Sequence, residues 1–144
     1  MRLVIDASVF VAAVREEEQH YKSSREFLRK IQFAAGAVLC PTLILPECAA
    51  AIIRATGDAA LARTVLRLIQ NFPRIQLVPV ELSTANWAAQ LAIEYRFRGA
   101  DSVYVATAEM FQAILITWDG EMLKRSPSEI PVLSPEEWLK RLSS

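Results

Sequence analysis

Short apolar runs alternate along the chain with stretches in which apolar residues recur every three or four positions. The first run, Leu3-Val4-Ile5, predicts a buried strand. Helical spacing follows in a short segment from about Val9 to Arg15 and a longer one from about Tyr21 to Ala35, which Gly36 ends. Ala37-Val38-Leu39-Cys40 predicts a second strand, stopped by Pro41. From Thr42 to Ala55 the pattern is helical and rich in alanine, with Pro46 early enough to sit in a first turn or to mark a kink. Asp58 is placed to cap the next helix, whose stripe is Leu61, Val65, Leu68, Ile69 and Phe72. Ile75 to Val80 predicts a third strand. Ser83 then caps a helix with the stripe Trp87, Ala88, Leu91, Ala92 and Tyr95, closed by Gly99. Asp101 opens a helix to about Gln112, and Ala113 to Thr117 predicts a fourth strand, followed by a short helical turn after Asp119. Pro131-Val132-Leu133 supplies a fifth strand. Ser134-Pro135-Glu136-Glu137 reads as a capping box with proline at the first position of a last helix.

Strands alternating with helices predict an α/β domain around a central, mostly parallel sheet. No linker, internal repeat or low-complexity segment interrupts the pattern, so residues 1–144 read as one domain. Composition agrees: 144 residues, 53% of them apolar and 22% charged, suit a well-packed globule with an apolar face to spare for a partner. Sixteen basic and sixteen acidic side chains cancel, which excludes a basic coat and leaves any polyanion to a local patch. The two cysteines, Cys40 and Cys48, fit neither a disulfide framework nor a zinc motif, and Cys48 reads as a buried thiol. A charge arrives too early for a signal peptide, and no apolar run is long enough to span a bilayer. A cytoplasmic protein with no membrane partner is expected.

In open α/β sheets, ligands bind beyond the carboxyl ends of the strands. Asp6 directly follows the first strand and Asp119 closely follows the fourth, so both emerge at one edge if the crossovers are right-handed. Asp101 and Glu47, each early in a helix, are positioned to face the same edge. Taken singly, Asp101 and Asp119 serve equally well as helix caps. Asp6 is harder to explain that way, because an acid ending a central apolar strand is costly unless something pairs with it. Glu47, among Leu45, Pro46, Cys48 and three alanines, has similarly apolar company. Four carboxylates in one crevice would repel one another and resist ionisation. A hard divalent cation relieves that repulsion, and an oxygen-only ligand set selects magnesium or manganese over zinc. Such sites hydrolyse phosphodiesters by generating hydroxide and clamping phosphate oxygens.

Val4-Ile5-Asp6-Ala7-Ser8-Val9-Phe10, the Pro46-Glu47 helix, Gly99-Ala100-Asp101-Ser102-Val103-Tyr104 and Ile116-Thr117-Trp118-Asp119 resemble, in order and spacing, the PIN-domain nucleases. Small one-domain members with this layout are the VapC-type toxins of toxin–antitoxin pairs. The resemblance covers nearly the whole chain and implies a magnesium-dependent ribonuclease. It implies Asp6 and Asp101 as principal metal ligands and Glu47 and Asp119 as completing the cluster through water or a second ion, with manganese able to replace magnesium. Ser8 and Thr117 match polar positions that orient ligands or the scissile phosphate. It further implies an RNA substrate cut in single-stranded or loop segments, a homodimer, and an antitoxin that enters the active-site groove.

His20, the only histidine, reads as a solvated loop residue, and without a second histidine Ser8 has no base to make it a nucleophile. Arg15, Lys22, Arg25, Arg29 and Lys30 form a solvated face or a phosphate-contacting one. In Arg96-Phe97-Arg98 an off-stripe aromatic between two arginines is placed to stack a base or to meet a partner. The helix from Asp58 to Phe72 offers more apolar positions than one core face needs, which fits a dimer or antitoxin surface. Two rivals stand against the nuclease. A haloacid-dehalogenase-type phosphatase would want a second Asp where Ser8 stands, and a PIN-like module could bind metal or RNA without turnover.

Overall fold

In the computed structural model, which describes residues 1–34 and 36–143, the first apolar run becomes β1 (Arg2–Ile5) and lies at the centre of a five-stranded sheet. Its neighbours are β2 (Ala37–Pro41) on one side and β4 (Ile114–Ile116) on the other. The edges are β3 (Ile75–Val78) and β5 (Val132–Leu133), giving the order β3-β2-β1-β4-β5 with every pairing parallel. Parallel strands covered on both faces carry continuous apolar runs. Leu3, Val4 and Ile5 accordingly have no exposed surface.

The helices are α1 (Ala7–Val14), α2 (Tyr21–Ala34), α3 (Ile44–Thr56), α4 (Ala59–Gln70), α5 (Leu82–Tyr95), α6 (Gly99–Met110), α7 (Gly120–Arg125) and α8 (Pro135–Ser143). Ala35, where the predicted second helix ends, lies outside the described residues. Helix α6 packs on β1, β2 and β4 with α5 behind it, so Tyr104 to Ala108 are all buried. Helix α1 packs on α2, α3 and α4, and an edge-to-face contact between Phe27 and Trp138 ties α2 to α8. Gly36 follows from crowding, since a Cβ there would come within 2.9 Å of the Met1 carbonyl oxygen. Among the described residues, no helix is long and apolar enough to cross a membrane.

Several boundaries differ from the sequence reading, each for a packing reason. Helix α5 begins at Leu82 with Glu81 at the cap position, so Ser83 lies inside it and caps nothing. Its phase is set by burying Thr84, Ala88 and Leu91. That leaves Trp87, turned ~100° from Ala88, 40% exposed and not in the core stripe. The helix stops at Arg96 in the left-handed conformation, and Gly99 opens α6 instead of closing α5. Asp101 is therefore in the first turn of α6, with Arg98 at the cap position. On α4 the surplus leucines Leu61 and Leu68 pack against the core, whereas Phe33 of α2 and Leu82 and Ile93 of α5 are the most exposed large apolar residues among the described ones.

The capping box forms as predicted. Glu137 N–H donates to Ser134 Oγ and Ser134 N–H to Glu137 Oε1, both at 3.0 Å. Ser134→Ala removes one of these bonds and unseats the other, so it should cost about 0.5–2 kcal/mol in thermal or urea unfolding. An unchanged midpoint would mean that α8 is held by its Trp138 contact alone.

Candidate active site

The site follows from the strand order. The chain leaves β1 toward β2 on one side and later returns as β4 on the other, so the crevice above β1 and β4 is the switch point of the sheet. Asp6 ends β1 with its main-chain N–H still in the ladder, donating to the Ile116 carbonyl at 2.9 Å. Its carboxylate is thereby fixed at the rim of the core, only 6% exposed. Thr117, directly after β4, donates its hydroxyl to Asp6 Oδ2 at 2.8 Å and accepts the Asp119 N–H at 3.0 Å. One buried side chain so links two of the predicted acids.

All four acids line one cavity of about 450 Å³, together with Ser8, Trp118, Arg54 and Arg98. Glu47 reaches it from the first turn of α3, and Arg54, seven residues on, shares that face of the helix. Arg98 bridges two of the acids, with Nε 3.1 Å from Asp101 and a terminal nitrogen 2.8 Å from Asp119 Oδ2. Asp119 Oδ1 accepts the Met122 N–H at 2.9 Å, so Asp119 caps α7 and faces the site at once. Asp101 is not a cap: it makes its contact with Arg98 and takes no cap hydrogen bond. A shallower depression shares Arg98 and Asp119 and adds Lys124 and Arg125, giving the acids a basic rim in a chain with no net charge.

Burial is the main force on the carboxyls. It pushes Asp6 above the usual carboxylate range; hydrogen bonds with Ser8 and Thr117 oppose this and the Asp101 charge adds to it. Burial likewise raises Glu47, with the Asp6 and Asp101 charges behind it and Tyr104 and Arg98 against it. Asp101 is raised by burial, with Arg98 pulling it back down and Asp119 and Glu121 pushing it up. Glu47 Oε1 and the Tyr104 hydroxyl are both buried without a completed hydrogen bond. Burial also lifts the Cys40 thiol to about 12, which makes it an inert core group.

Two readings of the sequence are corrected here, and a third is located. His20 is not a solvated loop residue: it is half-buried and lies flat on Trp118, with ring centroids 3.7 Å apart. Phe97 is 7% exposed and packs in the core, so it is open neither to a base nor to a partner. Arg25 and Arg29 of α2 line a separate groove against α4, away from the acids. Sequence reasoning missed Arg54, Tyr104 and Trp118, of which only Arg54 left a signal, as the residue two helical turns beyond Glu47.

The chemistry of a cation site is present in kind. The donors are all oxygens, and Glu47 Oε1 is a buried acceptor that completes no hydrogen bond, though the Tyr104 hydroxyl lies against it. As the side chains stand, no three His, Cys, Asp or Glu among the described residues close on a common point. Arg98 is the cation that Asp101 and Asp119 hold. Magnesium needs only one or two direct carboxylates and completes its shell with water, so the residues fit it.

The PIN domain family model matches residues 3–126. No curated protein matches the sequence significantly. A Pyrobaculum aerophilum protein of known structure superposes with a TM-score of 0.70 at 20% identity, covering 99% of this chain and 96% of its own. VapC20 of Mycobacterium tuberculosis, a toxin that cleaves the sarcin-ricin loop, gives 0.71 at 13% identity, covering 90% and 98%. VapBC2 of Rickettsia felis, solved on a fragment of promoter DNA, gives 0.70 at 12% identity, covering 93% and 98%. At these identities the likeness is one of fold, whereas the family model spans most of the sequence; with the four acids gathered at the switch point, the chain belongs to the PIN-domain family.

Proposed function

We propose that the protein is a magnesium-dependent endoribonuclease and the toxin of a toxin–antitoxin pair. The observation that carries this reading is the single cavity in which Asp6, Glu47, Asp101 and Asp119 face Arg54 and Arg98. Acids alone would repel a nucleic acid, and arginines alone would only bind one. Together they suit a phosphodiester that is both held and attacked.

Asp6 and Asp101 would hold the ion directly, with Glu47 and Asp119 acting through water. A bound divalent cation supplies an acidified water and neutralises charge on the phosphate oxygens. Thr117 fixes the Asp6 carboxylate through Oδ2. Glu47, whose side chain lines the cavity, would act on a water held there. Arg98, freed from Asp101 and Asp119, and Arg54 opposite it would hold the substrate's phosphates. Ser8 takes the Trp118 N–H at 3.1 Å, which orients the strand end next to Asp119 and puts a hydroxyl where a phosphatase would want its second aspartate. A fold relative from Klebsiella pneumoniae, solved as a toxin–antitoxin complex, supports an antitoxin partner for this chain. A cytoplasmic homodimer is part of the same proposal, with the exposed Leu82 and Ile93 of α5 as its apolar surface.

RNA cleavage should require added magnesium or manganese and stop in excess chelator; cleavage by metal-stripped protein would overturn the mechanism. Asp6→Asn and Asp101→Asn should each abolish turnover while circular dichroism stays native. Thr117→Val, which touches the ion only through Asp6, should cost about 10–100-fold in metal affinity or activity. Full activity in that variant would remove Thr117 from the site.

The raised carboxyls also set a pH dependence. A group whose folded value lies above its unfolded one stabilises fully below the unfolded value, near 4, and loses that contribution as pH rises through the folded value. In chelator the protein should therefore lose stability upward from about pH 4. Asp6→Asn removes the most deeply buried of these charges, so it should melt above wild type at neutral pH and close to it at about pH 4. An offset that did not change with pH would mean that Asp6 is not held charged against burial.

A further inference from the structure

One ring contact of this protein stands apart from those of its core. In the core, Phe10 meets Phe72 at 84° and Phe27 meets Trp138 at 89°, the edge-to-face packing usual for buried rings. His20 and Trp118 differ: their planes are 4° apart with centroids at 3.7 Å, and both rings are only half-buried. Trp118 lines the acidic cavity directly beside Asp119.

The indole cannot turn in place. Its ring N–H donates to the Oγ of Ser24, a fully buried residue of α2, at 2.8 Å, and its main-chain N–H donates to Ser8 at 3.1 Å. His20 lies on the ring and is itself met by the Gln19 amide at 2.9 Å. With both donors occupied within the protein, what the indole has left to offer the cavity is apolar ring surface. A rigid flat ring beside a phosphate-cleaving centre matches the layout of a nucleotide, in which a flat base is joined to a phosphate through one sugar.

We infer that the Trp118–His20 stack is a docking platform for an unpaired nucleobase of the RNA substrate, which sets the adjoining phosphate against Asp6, Asp101 and Asp119. The inference rests on the nuclease reading above and makes it more specific. Only an unstacked base can occupy the platform, so the substrate is single-stranded or looped at the cut. Stacking accepts any base, so the platform selects for strandedness and position more than for sequence.

The test is a series of labelled single-stranded RNA oligonucleotides in which each nucleotide in turn is abasic, bound in chelator and followed by anisotropy. With wild-type protein, one abasic position should weaken binding about 5- to 150-fold, the range that base–aromatic stacking supplies. Trp118→Leu should weaken binding of the intact RNA by a similar factor and become indifferent to the abasic position. Trp118→Phe should recover most of the binding, and His20→Ala, whose half-exposed ring carries little of the fold, should give a smaller loss. Thermal melts identify any variant that fails to fold, in which case the phenylalanine and His20 variants carry the test. Equal abasic penalties in wild type and in Trp118→Leu, or no RNA binding at all, would overturn the platform. Cleavage in magnesium is scored separately. Cleavage that ignores Trp118 sinks the platform alone, whereas Trp118-dependent binding without cleavage sinks the nuclease reading alone.

Discussion

The structure depends on one constraint: the central strand of the sheet runs straight into a carboxylate. Asp6 cannot move into solvent, because its main-chain N–H is the last rung between β1 and β4. Nor can it ionise cheaply where it is, because desolvation opposes the charge. The surroundings answer that cost in pieces, with a hydroxyl from Thr117 and hydrogen bonding from Ser8. None of these supplies a positive charge to Asp6. The opening left for a cation is thus a property of the strand order as much as of the acids themselves.

Arg98 shows the same logic one step outward. Asp101 and Asp119 come from different helices and would repel each other, and a single guanidinium spans both. Its side chain is 71% exposed, so the contact is screened and breakable, not a fixture of the core. Under the proposed function, a substrate phosphate would offer Arg98 an alternative anion, and an ion would offer the two aspartates an alternative cation. Such an exchange would let a chain of zero net charge present a basic group to a polyanion as the site fills.

Much of this was legible in the sequence, for identifiable reasons. Leu3-Val4-Ile5 and its counterparts announce parallel strands because such strands are apolar on both faces. Asp6 stood out because an acid there is costly, and Glu47 because its neighbours are apolar. Asp119 was readable as a cap or as a site residue, and it is placed as both. What escaped depends on pairs the sequence does not bring together. His20 looked solvated because it lies in the polar run from Arg15 to Lys22; its partner, Trp118, follows β4, far along the chain. Phe97 looked exposed because it lies off the α5 stripe, yet the left-handed turn at Arg96 folds it back into the core. Helix α6, buried almost all round, gave too little periodicity to show which of its residues face the crevice.

The bond between Thr117 and Asp6 joins residues 111 positions apart, and the β1–β4 ladder beneath it is equally non-local. Parallel pairing over such a span forms late, since the intervening loop must close before any contact rewards it. During synthesis, Asp6 emerges early and waits with β1 unpaired on one side until β4 has cleared the ribosome. A chain stalled or truncated before residue 114 would carry Asp6, Glu47 and Asp101 but no crevice to gather them. The acids are therefore gathered only once β4 has been made, and no shorter stretch from the amino terminus can assemble the site.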